Sequence, residues 1–147
     1  MDFVYDLIGR FHPLFVHLPI GFIVMGIVGT ITAVLFYEDH MNSLAQKFSG
    51  VVQFPPNMAP SLIGMVVYIF VMAIIYDKMG VSGFESGAIT GAWFGAAKWF
   101  FFNMQMAGIM PSVWGDMNYI AIDVVISAVM YAISGAAMGW SLERFKS

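Results

Sequence analysis

Two oppositely charged residues, Lys98 and Asp123, lie inside two of the most hydrophobic stretches of the chain. A charge in hydrocarbon costs at least ~2.5–3.5 kcal/mol on translocon-derived scales. If the two stretches are antiparallel membrane helices, the residues differ in depth by ~7.5 Å, which a lysine stem can cover. The sequence therefore predicts an intramembrane charge pair. It could serve as a proton or ion relay or a charged substrate site, but we favour a structural ion pair or a lysine that snorkels to the interface.

Two histidines, His12 and His17, flank the start of the first apolar stretch. A membrane histidine can ligate b-type haem, with His or Met as the second ligand. Five residues apart on one helix, these two do not bring both imidazoles to one iron, so haem b would need a ligand from another helix or subunit. We favour a structural role, in which the imidazoles donate to carbonyls freed by Pro13 and Pro19. No catalytic residue and no metal site are predicted.

Small residues at a spacing of four mark two further stretches as packing faces. The stripes consist of Gly87, Gly91 and Gly95, and of Gly135 and Gly139. This spacing lets membrane helices approach closely, so that van der Waals packing holds them together. The pattern leaves open whether the partner helix lies in the same chain or in another subunit.

The composition indicates an integral membrane protein. Of 147 residues, 60% are hydrophobic and only 10% are charged, whereas soluble domains carry about 25% charged residues. A net charge of −3 gives no basic surface for nucleic acid. The chain has no cysteine, which excludes disulfides and thiol chemistry, and it shows no phosphate-binding loop or HExxH motif.

Four apolar stretches, at about 14–37, 58–76, 88–110 and 117–140, approach the ~20 residues that a helix needs to cross a bilayer. Only helices satisfy their own backbone groups in lipid at this length. Residues 2–12 place apolar side chains on one face and charges on the other, which is typical of an interfacial helix. We predict a single all-α membrane domain over residues 1–147, a four-helix bundle preceded by that interfacial helix.

The distribution of basic residues predicts the orientation. One side of the predicted bundle receives Arg10, Lys78, Arg144 and Lys146, and the other receives only Lys47. Because Lys and Arg concentrate on the cytoplasmic side, both termini are expected in the cytoplasm.

The segment His12 to Gly21 reads HPLFVHLPIG. It resembles the opening of a family of small membrane proteins that begin with His-Pro-x-x-Val-His-Phe-Pro-Ile-Gly, and it differs at Leu18. That resemblance implies a bacterial respiratory or cytochrome setting. The rest of the chain resembles a second class of bacterial four-helix membrane proteins, with a glycine-rich third helix and an aspartate early in the fourth. Neither resemblance implies a defined activity.

We therefore expect a non-catalytic accessory or structural subunit of a larger bacterial inner-membrane complex, respiratory or otherwise energy-transducing. Its expected partners are membrane lipids and other integral membrane subunits. The sequence leaves two alternatives open: a redox protein that binds haem b, and a small transporter or ion-conducting oligomer.

Overall fold

The computed structural model describes residues 19–144, and the regular structure in that range is entirely helical. The predicted all-α class is thus confirmed for this part of the chain. The helices are α1 (Pro19–Lys47), α2 (Met58–Lys78), α3 (Phe84–Ile109), the short α4 (Pro111–Trp114) and α5 (Met117–Arg144). The interfacial helix predicted for residues 2–12, together with His12 and His17, lies outside the described residues.

Three of these helices, α1, α2 and α5, are long and apolar enough to cross a membrane. The third predicted span is a helix of 26 residues, α3, but it is not among them. Lys98, Asn103 and Gln105 lower the hydropathy of a segment that is otherwise rich in Phe and Ala. Hydropathy alone thus supports three spans in residues 19–144 and does not confirm the predicted four.

The first helix continues well beyond the end of the predicted span. It passes through a π-helical turn at Ala33–Tyr37 and then through the polar segment Glu38–Lys47. No proline or glycine interrupts the chain between Tyr37 and Lys47, so nothing ends the helix where the apolar residues end. Gly50, with φ at +82°, lies in the turn that follows.

The closest packing in the structure is that of α3 against α5. The amide of Gly83 donates to the carbonyl of Gly139 at 3.0 Å, which joins the start of α3 to the end of α5. A Cβ added to Gly91 would lie well under 3.0 Å from the carbonyl oxygen of Tyr131, and one added to Gly87 would meet that of Gly135 in the same way. The two glycine stripes therefore pack against each other within the chain.

Longer side chains fill the space between α5 and the first two helices. A core of buried apolar residues includes Met25 of α1, Ile69 and Met72 of α2, and Met138 of α5. A Cβ on Gly21 would lie 2.9 Å from the terminal methyl of Met138, so the start of α1 lies beside the end of α5. Flexible thioether side chains suit such irregular gaps.

Short polar side chains begin two of the helices. The Asn57 side chain accepts from the Ala59 amide at 3.1 Å and caps α2. The Asp116 carboxylate accepts from the amides of Asn118 and Tyr119, at 3.0 and 3.2 Å, at the start of α5. These caps occupy amides that have no partner within the helix, and they fix where each helix starts.

Candidate functional site

Asp123 lies at the centre of a polar cluster near the start of α5, and only 5% of its surface is exposed. Its carboxylate accepts one hydrogen bond from the hydroxyl of Tyr37 in α1. It accepts a second from the side-chain amide of Asn103 in α3, at 2.5 Å. The Asn103 oxygen in turn accepts from the indole N–H of Trp114 at 2.9 Å. We call Tyr37, Asn103, Trp114 and Asp123 the aspartate cluster.

Each member of the aspartate cluster comes from a different helix. Tyr37 is the last residue of the π-helical turn in α1, so the wider turn sets the direction from which its hydroxyl meets Asp123. Asn103 is only 1% exposed and lies near the end of α3, opposite the first turns of α5. Trp114 belongs to α4, the connection between those two helices. The cluster thereby ties four helices together at one end of the bundle.

Two residues close in sequence to members of this cluster form a pair of stacked rings. His40 of α1 and Tyr119 of α5 stack at 3.6 Å between centroids, with an angle of 13° between their planes. His40 is half-buried, although its polar sequence surroundings favour a solvated ring. The stack extends the contact between α1 and α5 one turn beyond Tyr37.

Lys98 of α3 forms a second, separate site about halfway along the bundle. Its ammonium donates to the Tyr131 hydroxyl of α5 at 2.9 Å and lies 3.9 Å from the ring centroid of Tyr68 of α2. The rings of Tyr131 and Trp99 are within 5.2 and 5.4 Å. We call Lys98, Tyr68, Trp99 and Tyr131 the lysine site.

The structure does not bring Lys98 and Asp123 together as the predicted ion pair. Asp123 is satisfied by Tyr37 and Asn103, and the hydrogen bond of Lys98 goes to Tyr131. On α5, Asp123 and Tyr131 are eight residues apart, which is about 12 Å along the helix. Each charge therefore has its own neutral partners, and within residues 19–144 no salt bridge joins the two.

The two sites differ in how completely they are satisfied. An ammonium has three donors, and in residues 19–144 only the Tyr131 hydroxyl accepts from Lys98. Ring faces stabilise a cation by roughly 0.5–2 kcal/mol and a hydrogen bond by about 1 kcal/mol. These contacts offset much of the cost of the charge, but they supply no negative charge and leave two donors unused.

A cavity of about 20 Å³ lies beside the lysine site, between α1, α2 and α5. This is room for about one water molecule. Tyr68 lines it, and among residues 19–144 the buried Tyr68 hydroxyl has no hydrogen-bond partner. In residues 19–144 no three His, Asp or Glu side chains converge in a way that could hold a metal ion. The cavity is too small for an organic substrate.

Several of these partners were not predicted from the sequence. Tyr37, Tyr68 and Trp114 come from three different helices, and nothing in their local sequence marks them as partners of a charge. A signal was present on α5, where Asp123, Ser127 and Tyr131 recur at a spacing of four and all are buried. That spacing places one polar stripe on the inward face of the helix.

Comparison of the chain with protein-family models, with curated proteins and with solved structures finds no match. The resemblances drawn from HPLFVHLPIG and from the glycine-rich third helix therefore stay predictions.

Proposed function

We propose that the protein is a four-span membrane protein, with α3 as the fourth span. The support is its position beside α5, which is apolar enough to cross a membrane. The contacts between α3 and α5 run from Gly139 to Asp123, about 24 Å along α5, which approaches the thickness of a hydrocarbon core. A helix held that closely over that length lies at the same depth as its neighbour.

We infer further that this bundle is a non-catalytic accessory subunit of a larger bacterial inner-membrane complex. The observation that carries this proposal is Lys98, a charged side chain at mid-depth that is exposed and faces no carboxylate within residues 19–144. Ionisable residues at membrane depth almost always face a protein interior, a water-filled cavity or a charged partner. In a complex, a neighbouring subunit provides that environment.

The polar groups of the aspartate cluster form hydrogen bonds within the chain, which is consistent with a structural role. Asp123 and Asn103 are buried and the aspartate cluster is hydrogen-bonded from several helices, while the cavity beside Tyr68 holds no more than about one water molecule. The glycine stripes are occupied by each other, so they position α3 and α5 and leave outward faces for other subunits or lipids.

For the orientation we propose a cytoplasmic location of both termini. Gly21 at the start of α1 lies beside Met138 near the end of α5, so residues 19 and 144 lie at the same end of the bundle. Lys78 and Arg144 end α2 and α5 at this same end, whereas Lys47 ends α1 at the other. The excess of basic residues on the side of the termini favours the cytoplasm.

Purification in a mild detergent, followed by native mass measurement and identification of bound proteins, tests the accessory role. We expect the tagged protein to carry other membrane subunits in a fixed ratio. A preparation that contains only this chain and lipid would contradict the proposal. Reporters fused at the two termini and inserted after Gly50 test the orientation, and the inserted reporter should lie on the side opposite to both termini.

A further inference from the structure

We propose that the lysine site is the docking position for a transmembrane helix of another subunit, and that this helix carries an aspartate or glutamate near its middle. The inference rests on the proposed accessory role and names the chemistry of the partner. It follows from the position of Lys98, from the donors that it leaves unused, and from the face of the bundle on which it lies.

The ammonium of Lys98 is too deep to reach water along the helix. The Lys98 backbone lies about 21 Å along the helix from the start of α3 and about 16 Å from its end, at 1.5 Å per residue. Its contacts with Tyr68 and Tyr131 hold it beside α2 and α5 at mid-length. An anion for this charge must therefore arrive within the membrane, from the side.

The surroundings of Lys98 suit a helix as the source of that anion. On α3, Phe101 is 67% exposed and Gln105 is also exposed, and both share a face with Lys98 because they follow it by three and seven residues. On α2, Gly64 lies four residues before Tyr68, and a Cβ placed on it would meet nothing within 4 Å. An open glycine on the helix that carries Tyr68 allows another helix to approach α2 closely.

Within residues 19–144, a second copy of this chain offers no suitable carboxylate. Asp123 is buried and already accepts two hydrogen bonds. The other acidic side chains in residues 19–144 lie at helix ends or in the polar segment after Tyr37: Glu38, Asp39, Asp77, Glu85, Asp116 and Glu143. Asp2 and Asp6 belong to the segment that the sequence predicts to lie in the membrane interface, so we assign the matching carboxylate to a different protein.

A defined probe can test this charge preference without knowledge of the natural partner. The chain has no cysteine, so Ser147→Cys allows a fluorescent donor to be attached at one position. The probe is an acceptor-labelled transmembrane peptide of leucines with a single central glutamate, reconstituted with the protein in phosphatidylcholine vesicles. Matched peptides carry leucine, glutamine or lysine at the centre. We expect energy transfer to show at least tenfold tighter association of the glutamate peptide than of the leucine peptide.

Substitutions at position 98 test whether Lys98 causes this preference for the glutamate peptide. Lys98→Met should reduce the preference to less than twofold, and Lys98→Arg should retain it. Lys98→Glu should reverse it, so that the lysine peptide binds best. Lys47→Met is the matched control, since it removes a lysine at the end of α1, and it should behave as the unchanged protein. Thermal unfolding of each variant in detergent confirms that it is folded.

Equal binding of the glutamate and leucine peptides, or a glutamate preference that survives in Lys98→Met, would overturn the inference. Co-purification distinguishes this failure from that of the accessory role. If the unchanged protein and Lys98→Met bring along the same subunits in the same amounts, the accessory role stands and the lysine site is not the docking position. If the unchanged protein purifies alone, the accessory role fails, whatever the peptides show.

Discussion

The aspartate cluster and the lysine site solve the same physical problem in opposite ways. Both place a formally charged side chain next to apolar helices, yet Asp123 is 5% exposed and has hydrogen-bond donors from two other helices, whereas Lys98 is exposed and has ring faces and one hydroxyl. The first is complete within the chain. The second has no anionic partner within residues 19–144, and under the docking role proposed above another subunit supplies it.

The glycine contacts between α3 and α5 position both sites, so breaking them should have the largest effect. Gly91→Leu would drive a side chain into the backbone at Tyr131, and we expect it to lower the free energy of unfolding by at least ~3 kcal/mol. Ile89→Leu, at a position that is 61% exposed, is the control and should cost less than about 0.5 kcal/mol. Unfolding in mixed detergent with increasing dodecyl sulfate measures both, and equal stability of the two variants would show that α3 does not pack on α5 through this face.

The next largest effect is expected inside the aspartate cluster. Asp123→Leu leaves the Tyr37 hydroxyl and the Asn103 amide without their shared acceptor, at a cost of roughly 2–4 kcal/mol. Asp123→Asn keeps one oxygen acceptor and should cost clearly less. The same unfolding assay compares them. If the two substitutions were equally mild, the cluster would not hold the helices together, and its contrast with the lysine site would disappear.

A smaller effect on the isolated protein is expected at the lysine site. Lys98→Met removes one hydrogen bond and the contacts with the rings, but it also removes a charge from an apolar setting, so the change in unfolding free energy should stay within about 1 kcal/mol. The same variant should lose most of the subunits that co-purify with the unchanged protein. A large loss of stability would instead place Lys98 among the residues that hold the fold.

The smallest effect concerns the coupling between the two charges. Because Lys98 and Asp123 share no partner, the costs of Lys98→Met and Asp123→Asn should add to within about 0.5 kcal/mol in the double variant. A double-mutant cycle in the unfolding assay measures this term. A coupling above ~1 kcal/mol would restore the direct charge pair that the sequence predicts.

The sequence predicts the helices far better than the partners of the two charges. The all-helical fold follows from long apolar stretches, and the close approach of α3 to α5 follows from glycines spaced by four, although only the structure shows that the two stripes meet each other. The predicted charge pair between Lys98 and Asp123 is wrong because it rests on opposite charge and approximate depth alone. Neutral donors such as Tyr37 and Asn103 also satisfy a carboxylate, and whether they face it depends on the rotation of each helix, which no local pattern specifies.

The boundary of α1 shows a related limit. The change from apolar to polar residues at Tyr37 marks where the membrane-compatible segment ends, but a helix ends only at a breaker or a cap, so α1 continues to Lys47. The third predicted span shows the opposite limit: polar side chains such as Lys98 and Asn103 lower the hydropathy of α3 below that of a candidate span, although the helix packs closely against α5.

The π-helical turn at Ala33–Tyr37 changes the direction in which the side chains after it point around the axis of α1. Such a turn accommodates one residue more than an α-helical turn. Deleting one residue there would let the helix run as an uninterrupted α-helix, and everything after the turn would rotate by about 100° relative to what precedes it. Met25 lies before this turn, whereas Tyr37 ends it and His40 follows it. The extra residue therefore lets side chains from both halves of α1 face α5 at the same time. Evolution of this segment should accordingly tolerate substitutions more readily than changes in length.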